Sequence, residues 1–289
     1  MMELLPILTP RLKAGDDLVS QLTKGKPRPG DIIAVSSKAV ATVEGSAIDL
    51  RKLSVSAEAA LWATKLNRDD PLEGAFRQAV INETARMNGR VLDTSVYAML
   101  TELRPDDLTE GTILAVNAGL DRSNTLPDHA IGWPKDPVAS ARKLRQCLEQ
   151  ALQVPGSRFQ KQATWNLEPG TDQRYGKPHI GVLLTDSCCR PRRLGVTAMA
   201  LAVSGFPPLI SQIGKPDLFG KELRMTFEAT ADQLATAANF LMGNAAESVP
   251  AVILRGHGIT LTEDEGWVPG IKPEEDLFKG LFNASLPNP

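Results

Sequence analysis

The sequence predicts an α+β fold, and three observations predict it. Short apolar runs bounded by turn residues, such as Ile32-Ile33-Ala34-Val35-Ser36 behind Pro29-Gly30-Asp31, read as buried strands. Apolar residues at three- and four-residue spacing, in Leu72 to Met87 and along Ala141, Leu144, Leu148 and Leu152, read as helices. The two patterns mix without a strict alternating period, which favours α+β over a doubly wound parallel sheet.

Taken in order, Glu3 to Leu8 is a short apolar run cut by Pro6 and followed by Pro10. Gly15-Asp16-Asp17 opens an amphipathic stretch, Leu18 to Leu22, with Asp16 as N-cap. After Ile32 to Ser36, a second strand is expected to end at Glu44-Gly45. Ala57 to Leu66 and Leu72 to Met87 are expected helices, with acidic residues early and basic residues late. Arg90 to Leu100 and Thr112 to Val116 read as strands. Asp136-Pro137 starts a helix by the N-cap and first-position proline rule. Gly156 to Lys177 is polar and turn-rich, which predicts a surface excursion. Strands are expected at His179 to Thr185, Thr197 to Val203 and Pro250 to Leu254. Phe227 to Met242 is expected to be one helix stopped by Gly243, with Leu234, Ala237, Phe240 and Leu241 as its core stripe. The tail after Gly258 is polar, with one amphipathic piece at Glu274 to Phe282.

The 289 residues suffice for one large domain or two lobes. A net charge of −2 gives no global field that recruits nucleic acid or a membrane surface, although Arg190-Pro191-Arg192-Arg193 can bind anions locally. Cys147, Cys188 and Cys189 make an odd set with no CxxC partner, which argues against a disulfide framework and for a reducing compartment. Neither a secretory signal nor an apolar run of membrane-spanning length is evident, so a cytoplasmic protein is expected.

Two aspartates stand in near-matching settings, each just past an apolar run: Asp121 after Ile113 to Leu120, and Asp186 after Ile180 to Thr185. A carboxylate at the end of a buried strand is held still and is costly to leave unpaired. Two of them facing one cleft repel unless cations sit between them. Cations with oxygen ligands in turn point to bound phosphates. The plainer reading makes each Asp a helix or turn cap.

The segments Gly15-Asp16-Asp17-Leu18, Asn117-Ala118-Gly119-Leu120-Asp121-Arg122-Ser123-Asn124, Thr185-Asp186-Ser187, Asp217-Leu218-Phe219-Gly220-Lys221-Glu222-Leu223 and Leu241-Met242-Gly243 occur in this order. Together they resemble the coenzyme F420-0:L-glutamate ligase family, over roughly residues 4 to 258. Lys135-Asp136-Pro137 with Ser140-Ala141, and Pro273 to Phe278, agree further. The resemblance implies a two-lobed α+β homodimer of an intertwined kind. It implies a γ-glutamyl ligase-like domain over 1–258, with lobes near 1–130 and 131–258, and a tail over 259–289. It also implies that GTP phosphorylates a carboxylate of the acceptor and that the amine of L-glutamate attacks the acyl phosphate, with Mg or Mn holding the phosphates.

Carried over residue by residue, Asp121, Asp186, Ser187 and Asn244 take metal-ligand positions, with Ser187 where the family has Thr. Thr9-Pro10-Arg11-Leu12, Ser37 with Lys38, and Asn124 take nucleotide-contacting positions, together with the glycine-bearing loop of Gly243 and Asn244. Arg190 and Arg193 are placed to meet phosphate or an acidic acceptor. The segment 188–198 departs from the family pattern. Cys189 and Arg192 replace a glycine and an aromatic residue, and Val196 and Ala198 replace an amide and a carboxylate. A threonine, Thr42, replaces a lysine. A ligase with another acceptor, and a non-catalytic nucleotide-binding homologue, are the alternative readings.

Overall fold

A computed structural model describes residues 1–65, 69–153 and 180–281. The expected excursion at Gly156 to Lys177 lies outside them. In chain order the elements are β1 (Glu3–Ile7), α1 (Leu18–Thr23), β2 (Ile32–Ser36), α2 (Ser37–Val43), β3 (Ile48–Asp49), α3 (Ala57–Thr64) and α4 (Glu73–Arg86). Then come β4 (Arg90–Thr94), β5 (Met99–Leu103), β6 (Ile113–Val116), β7 (His129–Ala130), α5 (Pro137–Gln153), β8 (Gly181–Cys189) and β9 (Val196–Ser204). The series closes with β10 (Ile210–Ser211), β11 (Phe227–Glu228), α6 (Thr230–Met242), β12 (Ala251–Arg255) and β13 (Glu265–Trp267). The described residues form two compact units, Met1–Val43 with Asp136–Val268, and Glu44–Lys135 with Pro269 onwards. The first unit thus takes its residues from both sides of the second, whereas the sequence reading divides the chain once, near residue 130.

The first unit is built on a six-stranded sheet of order β1-β12-β2-β8-β9-β13. Only β2 and β8 pair in parallel; the other neighbours are antiparallel. Such a mixed sheet is the expected α+β class rather than a doubly wound one. Ile32, Ile33, Ala34 and Val35 are all fully buried, as an unbroken apolar run requires when both faces of a strand are covered. On one face, Ala231, Leu234, Ala235, Ala238 and Met242 of α6 pack on Ile32, Ala34, Leu183, Val252 and Leu254. Each large side chain so buried contributes roughly 1.5–3 kcal/mol. α5 packs on β8 and β9 and against α1, through Ala141, Leu144 and Leu148, which are fully buried. Asp136 caps α5, its carboxylate accepting from Ala139 N at 2.9 Å.

In the second unit, β4, β5 and β6 form an antiparallel sheet beside the α3–α4 pair. α3 starts at Ser56, whose hydroxyl accepts from Ala59 N. α4 has Glu73 in its first turn and Arg86 in its last, complementing the helix dipole.

Several expectations change. The cap of α1 is Asp17, which accepts from Ser20 N, rather than Asp16. Residues 37–43 are helical; their β-branched residues suit a strand locally, but burial of Ser37, Val40, Ala41 and Val43 follows helical spacing. Arg90 to Leu100 is not one strand but a hairpin, turned at Ser95 where its N–H donates to Ala98 O at 2.9 Å. Phe227–Glu228 pairs with β10, so the helix begins only at Thr230. Its inward face keeps Leu234, with Leu241 packed against the core, and adds Ala231, Ala235, Ala238 and Met242, leaving Phe240 exposed. The polar tail supplies β13 to the sheet edge. β8 runs on to Cys189, so Asp186 lies within a strand rather than beyond one.

Candidate active site

Strand register gathers the first unit's polar groups at one end of its sheet. Ile7 pairs with Ala251, Ala251 with Val35, and Ser36 with Thr185. The residues that follow β1 (Thr9), precede β12 (Ser248 to Pro250), follow β2 (Ser37, Lys38) and follow Thr185 in β8 (Asp186, Ser187) therefore share that end. Hydrogen bonds tie them together: Thr9 N donates to Ser248 O at 3.1 Å, and Ser36 N to Pro250 O at 2.8 Å.

Adjacent residues of an extended strand point to opposite faces. Asp186 and Ser187 find different partners accordingly. Lys38 Nζ lies 3.2 Å from Asp186 Oδ1, with side-chain exposures of 26% and 9%. The ammonium offsets the cost of holding that carboxylate out of water. Ser187 donates its hydroxyl to Asn244 Oδ1 at 2.8 Å. Ser37, at the start of α2, is fully buried, and its hydroxyl has no partner among the described residues.

The loop after α6 closes the arrangement. Gly243 has φ +70, a left-handed conformation that favours glycine, and the Glu247 carboxylate lies where a Cβ would stand. That carboxylate accepts from Ala245 N at 2.8 Å. Further along β8, burial pushes the Cys188 thiol above its usual range, with the Thr197 hydroxyl and the Arg190 charge opposing the shift.

In the second unit, Asp121 exchanges both backbone hydrogen bonds with Ile131, each 2.8 Å. Its Oδ1 accepts from Arg122 N at 2.6 Å and Ser123 N at 3.0 Å, and Oδ2 meets the Ser123 hydroxyl. The carboxylate thus caps its own turn, as the plainer reading expects. Ahead of it, Asn117, Ala118 and Gly119 all have positive φ, and Gly119 lies so close on the Trp133 ring that a Cβ there would come within 2.5 Å of it.

The profile of the F420-0:Gamma-glutamyl ligase family matches residues 6–155 and 165–256. The chain belongs to that family. Among relatives named Coenzyme F420:L-glutamate ligase, one from Methanopyrus kandleri is 31% identical over 275 residues, covering 95% of this chain and 88% of the relative. One from Methanothermobacter thermautotrophicus is 32% identical over 279 residues, covering 94% and 96%. One from Methanocaldococcus jannaschii is 30% identical over 279 residues, covering 96% of each.

Of the positions the family resemblance singles out, Thr9, Ser37, Lys38, Asp186, Ser187, Gly243 and Asn244 stand at the sheet end of the first unit. Pro10 and Arg11 follow Thr9 on the surface, and Leu12 is half-buried. Arg190 and Arg193 stand instead in the exposed β8–β9 turn, where Arg193 N donates to Arg190 O at 3.2 Å. At the usual rise per residue, Arg190 is about 13 Å along the strand from Asp186. Its Nε donates to Thr197 Oγ1 at 3.3 Å. Asp121 and Asn124 belong to the second unit, Asn124 with φ 52. Both ring nitrogens of His257 are taken by the chain: Ile259 N donates to Nδ1, so Nε2 donates to Gly30 O at 2.9 Å.

Among the described residues, no group of three or more His, Cys, Asp or Glu side chains is gathered as a cation cage. The donors present are mixed: a carboxylate at Asp186, a hydroxyl at Ser187 and an amide oxygen at Asn244. These are hard oxygens, the kind Mg and Mn take, and Mg retains several waters, so few protein donors suffice. The residues fit such a cation. Sequence reasoning missed Glu247 and the pair Glu73–Arg77. The latter had a legible signal, opposite charges one helical turn apart within an otherwise apolar helix face.

Proposed function

We propose that this chain is a GTP- and divalent-cation-dependent γ-glutamyl ligase that joins L-glutamate to a small acidic acceptor such as coenzyme F420-0. Family membership and the printed names of its relatives support the ligase class. The observation that carries the site is the Lys38–Asp186 pair, 3.2 Å apart just past Ser36–Thr185, the last parallel pair between β2 and β8. Crevices at the carboxyl ends of parallel strands are where mixed and parallel sheets take ligands.

In this reading an acceptor carboxylate oxygen attacks the γ-phosphorus of GTP, and GDP leaves. The amine of L-glutamate then attacks the acyl carbon of the resulting acyl phosphate, and inorganic phosphate leaves. Such transfers depend on alignment and charge neutralisation more than on covalent participation by the protein. A bound Mg or Mn ion supplies charge neutralisation on the triphosphate. In the first unit Asp186, Ser187 and Asn244 would be its oxygen donors; in the second unit Asp121 would be an oxygen donor to a cation. Lys38 turns its ammonium from Asp186 to a phosphate oxygen as the nucleotide arrives. The loop at Gly243 and the Thr9 to Leu12 segment hold the nucleotide, with Ser37 and Asn124. Arg190 and Arg193 meet the acidic acceptor or its product. The working form is a homodimer in the cytoplasm.

The test incubates the full chain with GTP, Mn or Mg, L-glutamate and a panel of acidic acceptors including F420-0, and follows GDP. Acceptor-dependent GDP release that is sustained only when L-glutamate is present supports the reading; the absence of acceptor-dependent GDP release with every acceptor on the panel counts against it. The altered segment 188–198 favours a second reading on the same scaffold, nucleotide binding without turnover. Calorimetry that finds cation-dependent GTP binding, with no product from any acceptor, selects it.

A further inference from the structure

Behind Asp121 stands a buried charged group that none of the roles above uses. Arg77 of α4 is fully buried. Its Nη2 lies 2.6 Å from Glu73 Oε1, and its Nη1 donates to Asn117 Oδ1 at 2.8 Å. A buried ion pair adds little stability over a well-packed apolar pair, so packing alone does not account for a charge here. Its Nη1 bond ties α4 to a turn with unusual backbone.

In that turn Asn117, Ala118 and Gly119 have φ of 52, 53 and 78. Successive left-handed residues that carry a Cβ are unfavourable, and persist where the surroundings over-determine them. Each is tied down. Asn117 Oδ1 also accepts from Met99 N at 3.0 Å. Ala118 N donates to Thr101 Oγ1 at 3.1 Å, while that hydroxyl donates to Ala115 O at 2.8 Å. Gly119 is pressed on Trp133. Leu120 N closes the turn on Asn117 O at 2.9 Å, and Asp121 follows in its two bonds to Ile131.

We propose that Arg77 and Asn117 are positioning residues for Asp121: the buried Glu73–Arg77 pair presents Nη1 to Asn117 Oδ1, that bond holds the left-handed turn, and the turn sets where the carboxylate stands. The inference rests on the reading of Asp121 as a cation donor. A small, hard cation tolerates little misplacement of its oxygen donors, which gives such a support its purpose.

The test titrates Mn2+ into the full chain and follows it by electron paramagnetic resonance, with thermal melting alongside. Asp121→Asn is the reference variant and weakens Mn2+ binding. Asn117→Ala leaves the Glu73–Arg77 pair intact, and should weaken Mn2+ binding on the order of 10-fold in a folded protein. Asn117→Asp keeps an oxygen for both Arg77 and Met99, and should restore it; a purely structural role predicts no such split between metal affinity and melting. Should Asn117→Ala fail to fold, Thr101→Val, which removes the acceptor of Ala118 N–H and the donor to Ala115 O, takes its place with the same expectation. A folded variant that binds Mn2+ as the parent does, while Asp121→Asn weakens it, overturns the positioning role. Unchanged binding in Asp121→Asn overturns the donor reading itself, and the positioning role with it.

Discussion

The two aspartates singled out by one sequence pattern are held by opposite means. Asp186 lies in a strand whose pairing with β2 is continuous, and its surroundings follow from that register: the pairing of Ser36 with Thr185 puts Lys38 next to it, at 3.2 Å. Asp121 follows a turn of three positive-φ residues, stabilised by a buried arginine, a threonine hydroxyl and a tryptophan face. Strand geometry can be propagated from residue to residue, so its site comes together at little conformational cost. The turn needs side-chain bonds from several elements to exist at all. The first arrangement should therefore tolerate changes around it and respond mainly to loss of its own functional groups, whereas the second should collapse when a support far from the chemistry is removed.

The largest expected effect treats the two alike. Asp186→Ala and Asp121→Ala should each lower acceptor-dependent GDP release by about 10³-fold, as loss of a principal charge-stabilising group does. If only one of them does, the pairing of the two aspartates in function is broken. The next effect separates them. Arg77→Met strands Glu73 in the interior and releases Asn117, and should cost about 3–5 kcal/mol in denaturant unfolding. Lys38→Met, at a pair with 26% and 9% side-chain exposure, should cost less stability than Arg77→Met while weakening GTP binding. Equal losses from the two would erase the contrast.

Smaller still, Gly243→Ala forces a Cβ into a left-handed position and displaces the Glu247 carboxylate from Ala245 N–H. About 1–2 kcal/mol of stability should go, with weaker nucleotide binding measured by calorimetry. The smallest effect concerns the thiols. Burial raises Cys147, the Lys143 charge opposing it, and burial raises Cys188 as well. Both stay protonated near neutrality, so iodoacetamide at pH 8 should label exposed Cys189 first in the folded protein. The sign for stability follows. A thiol with a raised folded pKa contributes below its unfolded pKa and loses that contribution as pH rises through the raised value. Alkaline titration should therefore destabilise the parent more than a Cys147→Ala or Cys188→Ala variant relative to its own neutral value.

The same contrast explains what was legible in the sequence. The core strands at 32–36 and 251–255 were legible because an unbroken apolar run needs cover on both faces, and together with β8 they carry Lys38, Asp186 and the Ser248 segment to one sheet end. Residues 37–43 misled, because Val40, Thr42 and Val43 suit a strand locally and only packing against the sheet selects the helix. Phe240 misled for a similar reason: several stripes satisfy helical spacing in an alanine-rich helix, and the sheet beneath chooses Ala231, Leu234, Ala235 and Ala238. The turn before Asp121 was legible as a motif but not as a geometry, since no local propensity favours Ala118 at φ 53. Its cause lies in Arg77 and Thr101, distant in sequence.

The central claim is that the end of the six-stranded sheet marked by Lys38 and Asp186 takes a triphosphate together with a divalent cation. Isothermal calorimetry of GTP on the parent and on Asp186→Ala, each with Mn2+ and with EDTA, tests it most directly. The account predicts binding by the parent only with Mn2+, and loss of at least ~10-fold in affinity in the variant. Equal affinity in parent and variant, or binding indifferent to EDTA, contradicts it.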